Sequence, residues 1–538
     1  MDATGPNDDA TTTGAPTPPL QPDDDGRDRR TLLAGTAQNL VGLVVLVIGT
    51  LGANVLVSRA FGGGAAGATA LGVVTLATQF AVVAAGGTRF GMDMAAVREV
   101  AIEVGRGHGG RIRTVVDRAV AVAAVGSLAV AIPVFLAAPW LGDRFGGAAD
   151  VGDALRWGAV ALPFASVTLV SLGASRGLKI MRHTLTVQWI GQPILWIVLM
   201  LALWTVERSV ASAVAAYALS WAIAAVAARV LWHRATRGFG KEPAEPGETI
   251  RLLRYGAPRA PAALLSQALF WVDYFVAAAF VARGSIGAAE LGVYSSSVRI
   301  ALAMVLFLTA VSYVFSPFVA DLHHRGERDR LDALFKSLTR WTVAGTIPVL
   351  LVMLIAPEPL LRIFGGRAFT GGVDALRILL VGQTVNVAVG AAGFVLIMAG
   401  RTGWDLVVYV LSFALDLALA LILVPRFGIE GAALAQTVTV AASNVLRLSL
   451  VHRFVRIQPY DRSYLRLLPA TACAAVVMVV VHGALEGAVW SVDLLATGLA
   501  GLVAYVPPLL AWGLPPQERA TALASVRKAL GRSRSAAA

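Results

Sequence analysis

Between residues 32 and 514 the chain carries one apolar stretch after another, each about 20 residues long and separated by short polar turns. About 20 apolar residues span the hydrocarbon of a bilayer as a helix, and backbone in lipid must satisfy its own hydrogen bonds, so runs of this length are read as membrane helices. Fourteen can be drawn, at 32–58, 67–88, 114–138, 153–175, 184–206, 210–232, 258–282, 293–320, 338–357, 374–399, 404–425, 429–452, 466–485 and 491–514. An even number returns the chain to the side on which it entered.

Composition agrees with a bilayer as the solvent: 57% of the 538 residues are hydrophobic and 14% are charged, far from a soluble domain. The net charge of +12 is not one basic patch. Its arginines and lysines collect on one side, in the segments 98–113, 176–182, 234–254, 325–340 and 453–466, while the opposite side holds few, such as Arg59, Arg208 and Arg367. Basic loops stay in the cytoplasm, so both termini are expected there, in a multi-pass protein of the cell membrane. A charge explained by topology leaves no nucleic-acid partner to invoke. Residues 1–31 are acidic and rich in Pro and Thr, which predicts a disordered tail without the basic-then-apolar form of a secretory signal. Residues 515–538 alternate basic residues with Leu523, Val526 and Leu530, consistent with a helix on an anionic leaflet or with a solvated tail. The single cysteine, Cys473, excludes a disulfide framework and a zinc cluster.

The chain also repeats itself. Gly67 to Val74 reads GATALGVV and Gly287 to Tyr294 reads GAAELGVY, 220 residues later. AAPWLGDRFGG, ending at Gly147, is matched by IAPEPLLRIFGG, ending at Gly366, and Asp153-Ala154-Leu155-Arg156 by Asp374-Ala375-Leu376-Arg377. Matches in the same order at a nearly constant offset indicate two homologous halves. Each holds six helices, an even number, so both enter the membrane in the same direction and are related by an axis along the membrane normal. The expected division is a tail 1–31, a six-helix lobe 32–235, a cytoplasmic linker 236–257, a second lobe 258–457, a helix pair 458–514 and a tail 515–538. The fold class is an all-α integral membrane protein of two parallel lobes plus a C-terminal pair.

An ionisable residue at the centre of a membrane helix costs about 2.5–3.5 kcal/mol, so each needs a partner, water or a task. In the second helix, Gln79, Gly86, Arg89 and Asp93 share one face if the helix runs through. In the seventh, Ser266, Phe270 and Asp273 form a stripe, and in the eighth Ser295 and Arg299 share a face. The first adds Asn39 and Asn54, and the eleventh adds Asp416. One reading is a hydrated cavity between the lobes, with Arg89 and Arg299 holding an anionic head group, Asp93, Asn39, Asn54 and Gln79 meeting its hydroxyls, and Asp273 or Asp416 binding a coupling cation. The other pairs Arg89 with Asp93 at the interface and lets Arg299 snorkel to the outer surface. Nothing resembles a phosphate-binding Gly-x4-Gly-Lys loop, HExxH or GxSxG, so an enzyme is not expected and no cofactor is implied.

Val57-Ser58-Arg59-Ala60-Phe61-Gly62, the Gly67 to Gly72 string, the glycine-rich end of the second helix, Tyr255-Gly256-Ala257-Pro258, Asp273, and Leu291 to Ser295 followed by Arg299 resemble the polysaccharide transporter family of the multidrug/oligosaccharidyl-lipid/polysaccharide exporter superfamily. The resemblance covers roughly 32–514. It implies a flippase that carries a polyprenyl-pyrophosphate-linked oligosaccharide across the cell membrane for polysaccharide export, with basic cavity residues on the pyrophosphate. The implied partners are that lipid, the surrounding lipids, a coupling proton or sodium ion, and other polysaccharide-assembly proteins. Lipid II flippases are similar in having fourteen helices, the last two forming a groove for the lipid tail, but carry an Arg-Asp pair where this chain has Ala53-Asn54. A cation-coupled multidrug antiporter of the same superfamily, and from another class a membrane glycosyltransferase or polymerase, remain open readings of the residues.

Overall fold

The computed structural model describes residues 42–513 apart from 106–108, 146–149, 241, 244, 258, 310–311, 313–318, 320–321 and 323–324, together with Pro515 and Arg519. Asn39, the tail 1–31 and nearly all of 515–538 lie outside the described residues. Among the described residues there is helix and turn but no strand, as expected where lipid offers the backbone no partners.

The first half comprises α1 (Gly42–Ala60), α2 (Gly64–Thr88), α3 (Met92–Gly105), α4 (Arg111–Arg144), α5 (Val151–Gly177), α6 (Thr184–Leu203) and α7 (Val210–Ala235). The link is α8 (Glu248–Gly256). The second half comprises α9 (Arg259–Ala268), α10 (Val272–Val281), α11 (Ala288–Ala303), α12 (Arg328–Ile355), α13 (Pro357–Gly365), α14 (Val373–Val389), α15 (Ala392–Met398) and α16 (Thr402–Phe454), followed by α17 (Leu468–Ala484) and α18 (Trp490–Pro508). Helix α5 packs on α2, α3, α4 and α7, and α16 packs on α10, α14 and α15; α2 crosses to the second half and packs on α9 and α11. The pair α17–α18 rests on α12, where the Tyr505 hydroxyl donates to the Ala344 carbonyl at 2.8 Å.

Among the described residues, eleven helices are long and apolar enough to cross a membrane, or twelve with the bent pair α9–α10 taken as one. The fourteen drawn from sequence are therefore not all met among the described residues. Helix α16 counts once, although its 53 residues far exceed the roughly 20 of a single crossing. It breaks at Gly428, whose φ of 59° is in the left-handed region that glycine tolerates. Of the expected helix 293–320, α11 covers the first part, and 310–311, 313–318 and 320 lie outside the described residues; 374–399 is divided at Gly390 into α14 and α15.

Two further expectations fail at breaks. The second helix does not run through from Gln79 to Asp93: Phe90 and Gly91 adopt φ of 49° and 65°, the chain turns, and α3 starts at Met92. Gln79 and Asp93 thus share no helix face. The Ser266–Phe270–Asp273 stripe is likewise cut, because α9 and α10 meet at 58° across Leu269–Trp271. The Phe270 carbonyl at that break accepts from Gln436 of α16 at 3.4 Å.

The basic segments 98–113 and 234–254 overlap α3 and α8 and bury acids among the arginines. Glu248 is 1% exposed and lies 3.4 Å from both Arg111 and Arg118 and 3.9 Å from Arg251. Beside it Arg111 and Arg251 hydrogen-bond Glu245 and hold its carboxyl below the ordinary range.

Candidate functional site

The seam between the halves is built from the repeated strings. Gly72 of α2 faces Gly292 of α11: a Cβ added to Gly72 would lie 3.1 Å from the Gly292 nitrogen and 3.5 Å from the Ala288 carbonyl oxygen, while one added to Gly292 would overlap the Ala68 carbonyl. Small residues are what allow two membrane helices this close. At the end where α1 turns into α2, Gly63 lies against the Gly365 carbonyl and Arg59 Nε donates to the Ile363 carbonyl at 2.8 Å. That end of the seam is closed by backbone against backbone.

One turn along α2 from Gly72 lies Thr75. Its hydroxyl accepts from Arg299 of α11 at 3.2 Å, and the Arg299 guanidinium lies over the Trp271 ring, 5.4 Å from the centroid. Arg299 is 8% exposed, has no ion pair among the described residues, and its Nε makes no hydrogen bond. It does not snorkel to the surface, so that alternative is corrected: Thr75 and the indole hold the cation inside the seam. Removing a charge from water without a counterion is costly, which makes such a group a functional candidate.

Asp273 sits in the first turn of α10, just past the break, where a helix N-terminus favours a carboxylate. It is fully buried and receives a hydrogen bond from the Tyr294 hydroxyl of α11, and its Oδ1 has no hydrogen bond. Tyr274 stacks on Tyr294 with centroids 6.4 Å apart and donates to the Gly72 carbonyl at 2.6 Å, tying α10 to the opposite half. Asp416 of α16 is also fully buried, neither of its oxygens has a hydrogen-bond partner, and it lies within electrostatic reach of Asp273 and Tyr294. Two buried carboxylates with spare lone pairs can share a proton or hold a small cation. Among the described residues no three His, Cys, Asp or Glu side chains are grouped to hold a metal ion.

The structure thus gathers Asp273, Asp416 and Arg299 around the α2–α11 seam and places the other candidates elsewhere. Gln79 is half-buried one turn beyond Thr75. Arg89 and Asp93 form a 3.4 Å ion pair at the far end of α2. Asn54 is buried in α1 and donates to the Thr50 carbonyl at 2.6 Å, its Oδ1 left without a partner. Sequence reading missed Thr75, Trp271, Tyr274 and Tyr294. A signal for one of them was present: where the first copy of the repeat has Val74 the second has Tyr294, just as Arg299 stands where the first half has Gln79. Polar substitutions between copies of a repeat mark where the halves differ in task.

A family model described as polysaccharide biosynthesis protein matches residues 31–323, and a second, described as MatE, matches 262–422. A probable low-salt glycan biosynthesis flippase, Agl15 of Haloferax volcanii, is 26% identical over 191 residues, covering 35% of this chain and 39% of the relative. The chain therefore matches about two-fifths of that relative's length. Among solved structures, a lipid II flippase MurJ in an inward closed conformation superposes with a TM-score of 0.66 at 13% identity, over 88% of this chain and 98% of that one. A MOP superfamily transporter from Pyrococcus furiosus gives 0.59 at 14% identity over 79% and 95%. An inward-facing multidrug resistance MATE family transporter gives 0.58 at 16% identity over 78% and 94%. At these identities the superpositions establish a shared multi-span fold.

Proposed function

The chain belongs to the polysaccharide biosynthesis protein family, and on that premise we propose that it is a flippase for a polyprenyl-pyrophosphate-linked oligosaccharide. The observation that carries the reading is Arg299, a buried cation without an ion pair in the seam between the halves. A pyrophosphate is the group such a guanidinium binds best, with two parallel hydrogen bonds. The flippase relative supports the substrate class.

The mechanism follows from the seam. With both termini cytoplasmic, as the basic loops indicate, the closed Gly72–Gly292 end faces outward and the Arg89–Asp93 end faces the cytoplasm. The lobes 32–235 and 258–457 rock about the linker 236–257, so that a head group enters from the cytoplasmic leaflet, meets Arg299 and leaves outward when the glycine contact parts. The pair 458–514 lies beside α12, where a lipid tail can stay in the bilayer while its head crosses. Asp273 and Asp416 supply the coupling site for a proton or sodium ion. The MatE match over 262–422 includes both carboxylates and supports cation coupling; it is also the observation that favours a second reading, a cation-coupled multidrug antiporter. The Ala53-Asn54 pair supports an oligosaccharide-lipid other than lipid II. The cell membrane is the site of action and the enzymes that build the glycan are its working partners.

The test is a proteoliposome assay with a fluorescent lipid-linked oligosaccharide. The lipid is expected to change leaflet with its covalent structure intact, and Arg299→Ala is expected to stop it at normal expression. Export of cationic dyes without lipid movement favours the antiporter; a changed glycan structure favours a transferase or polymerase; full activity of Arg299→Ala removes the site assignment.

A further inference from the structure

A cavity of about 480 Å³ opens between the halves at the Arg89–Asp93 end, in the size range of small-molecule sites. The first half contributes Asp93; α9 contributes Arg259 and Ser266; α16 contributes Asp405 and Tyr409, one turn apart on the same face. Arg259 and Ser266 are also on one face, seven residues apart.

The charges around this cavity are held in two ion pairs whose geometry falls short of a hydrogen bond. Arg89 and Asp93 are 3.4 Å apart, and Arg447 and Asp405 are 3.6 Å apart, with Arg447 also 4.9 Å from the Tyr409 ring centroid. Arg447 Nε and Asp405 Oδ1, the facing atoms of the second pair, and Arg89 Nε all lack a hydrogen bond, and Arg259 is exposed where it lines the cavity. Asp405 is 8% exposed, yet it lines the cavity. A buried carboxylate oxygen left without a hydrogen bond costs stability unless a ligand or water supplies one. Two carboxylates, a hydroxyl and an aromatic ring lining one cavity suit a ligand rich in hydroxyls. The exposed Arg259 suits a phosphate at its edge.

We infer that this cavity is an entry subsite for the sugar residue attached to the pyrophosphate. Asp93 and Asp405 accept its hydroxyl protons, and Arg259 meets the phosphate. The inference rests on the flippase reading and adds a place where the sugar is recognised before the head group reaches Arg299. Arg447 is a positioning residue that fixes Asp405.

Native mass spectrometry of the full chain in nanodiscs tests this with two probes, polyprenyl pyrophosphate and polyprenyl pyrophosphate carrying one N-acetylglucosamine. Asp405→Asn is expected to weaken binding of the glycosylated lipid about tenfold and to leave the bare lipid unchanged. If Asp405→Asn does not fold, Asp405→Glu keeps a carboxylate beside Arg447 and is read in the same way, with a smaller preference for the glycosylated lipid expected. Equal losses for both lipids, or no loss for either, overturn the subsite while leaving the flippase reading standing. Wild-type protein that binds neither lipid overturns both.

Discussion

Gly72 and Gly292 hold the same position in the two copies of the repeat, and in the folded chain they face each other across the seam. Gly72 approaches the Ala288 carbonyl and Gly292 the Ala68 carbonyl, contacts that a shift of 220 residues interchanges. The internal repeat is therefore also a contact, in which one segment meets its own duplicate about the axis that relates the halves.

The two glycines differ in the room they have. A methyl at Gly72 calls for shifts of a few tenths of an ångström, whereas at Gly292 it collides with backbone. Gly292→Ala is expected to open the Gly72–Gly292 end of the seam, at a cost of about 1–3 kcal/mol to the closed state, and Gly72→Ala to change it little. Spin labels at Ala66 and Ala368, in a Cys473→Ser background, measure this as a longer distance in Gly292→Ala only. Equal distances in the two variants refute it.

Asp416→Asn keeps the side-chain volume and removes one of the two buried carboxylates. Translocation in proteoliposomes is expected to lose its dependence on a sodium or proton gradient, while lipid binding persists. Tyr294→Phe withdraws the hydrogen bond to Asp273 and should shift the cation concentration at half-maximal rate without abolishing transport.

Glu248 is the common partner of three arginines at the junction between the halves. Glu248→Ala removes the buried carboxylate while Arg111 and Arg251 keep Glu245, and a loss of about 1–3 kcal/mol is expected, the range for hydrogen bonds to a charged group. A lower midpoint of thermal unfolding in detergent, with Arg251→Ala much milder because its side chain is exposed, is the outcome to look for.

Asp461 caps the turn before α17: its carboxylate accepts from the Ser463 backbone at 2.8 Å and lies 3.5 Å from Arg340. Partial burial pushes its carboxyl up, but the Ser463 hydrogen bonds and the charges of Arg340 and Lys336 outweigh this and hold it below the ordinary value. A carboxyl with a lowered folded-state pKa contributes stability that is present above its unfolded value, near 4, and is lost as pH falls through the folded value. Asp461→Ala should cost about 1 kcal/mol at neutral pH, and the gap between variant and wild type should close in acid. A gap that stays constant from neutral pH to pH 3 excludes this role.

Much of this architecture was legible because a bilayer leaves the chain few choices. Apolar length dictates helices, and Gly67 to Val74 against Gly287 to Tyr294 declares the duplication. Arg299, Asp273 and Asp416 stood out because an ionisable group in apolar sequence carries an energetic cost that needs a reason. What sequence could not supply was where helices stop inside the membrane. Helical periodicity continues past Phe90 and past Phe270, so Asp93 was grouped with Gln79 and Ser266 with Asp273. The turn at Gly91 is settled by its fit against Gly256, and the break at Phe270 is met by Gln436, 166 residues away in the chain. Nor does any local pattern show that Thr75 and Trp271 shelter Arg299, or that Asp405 opens onto the same cavity as Asp93. Those relationships join the two halves, and only packing one against the other decides which buried charges meet and which are left for a ligand.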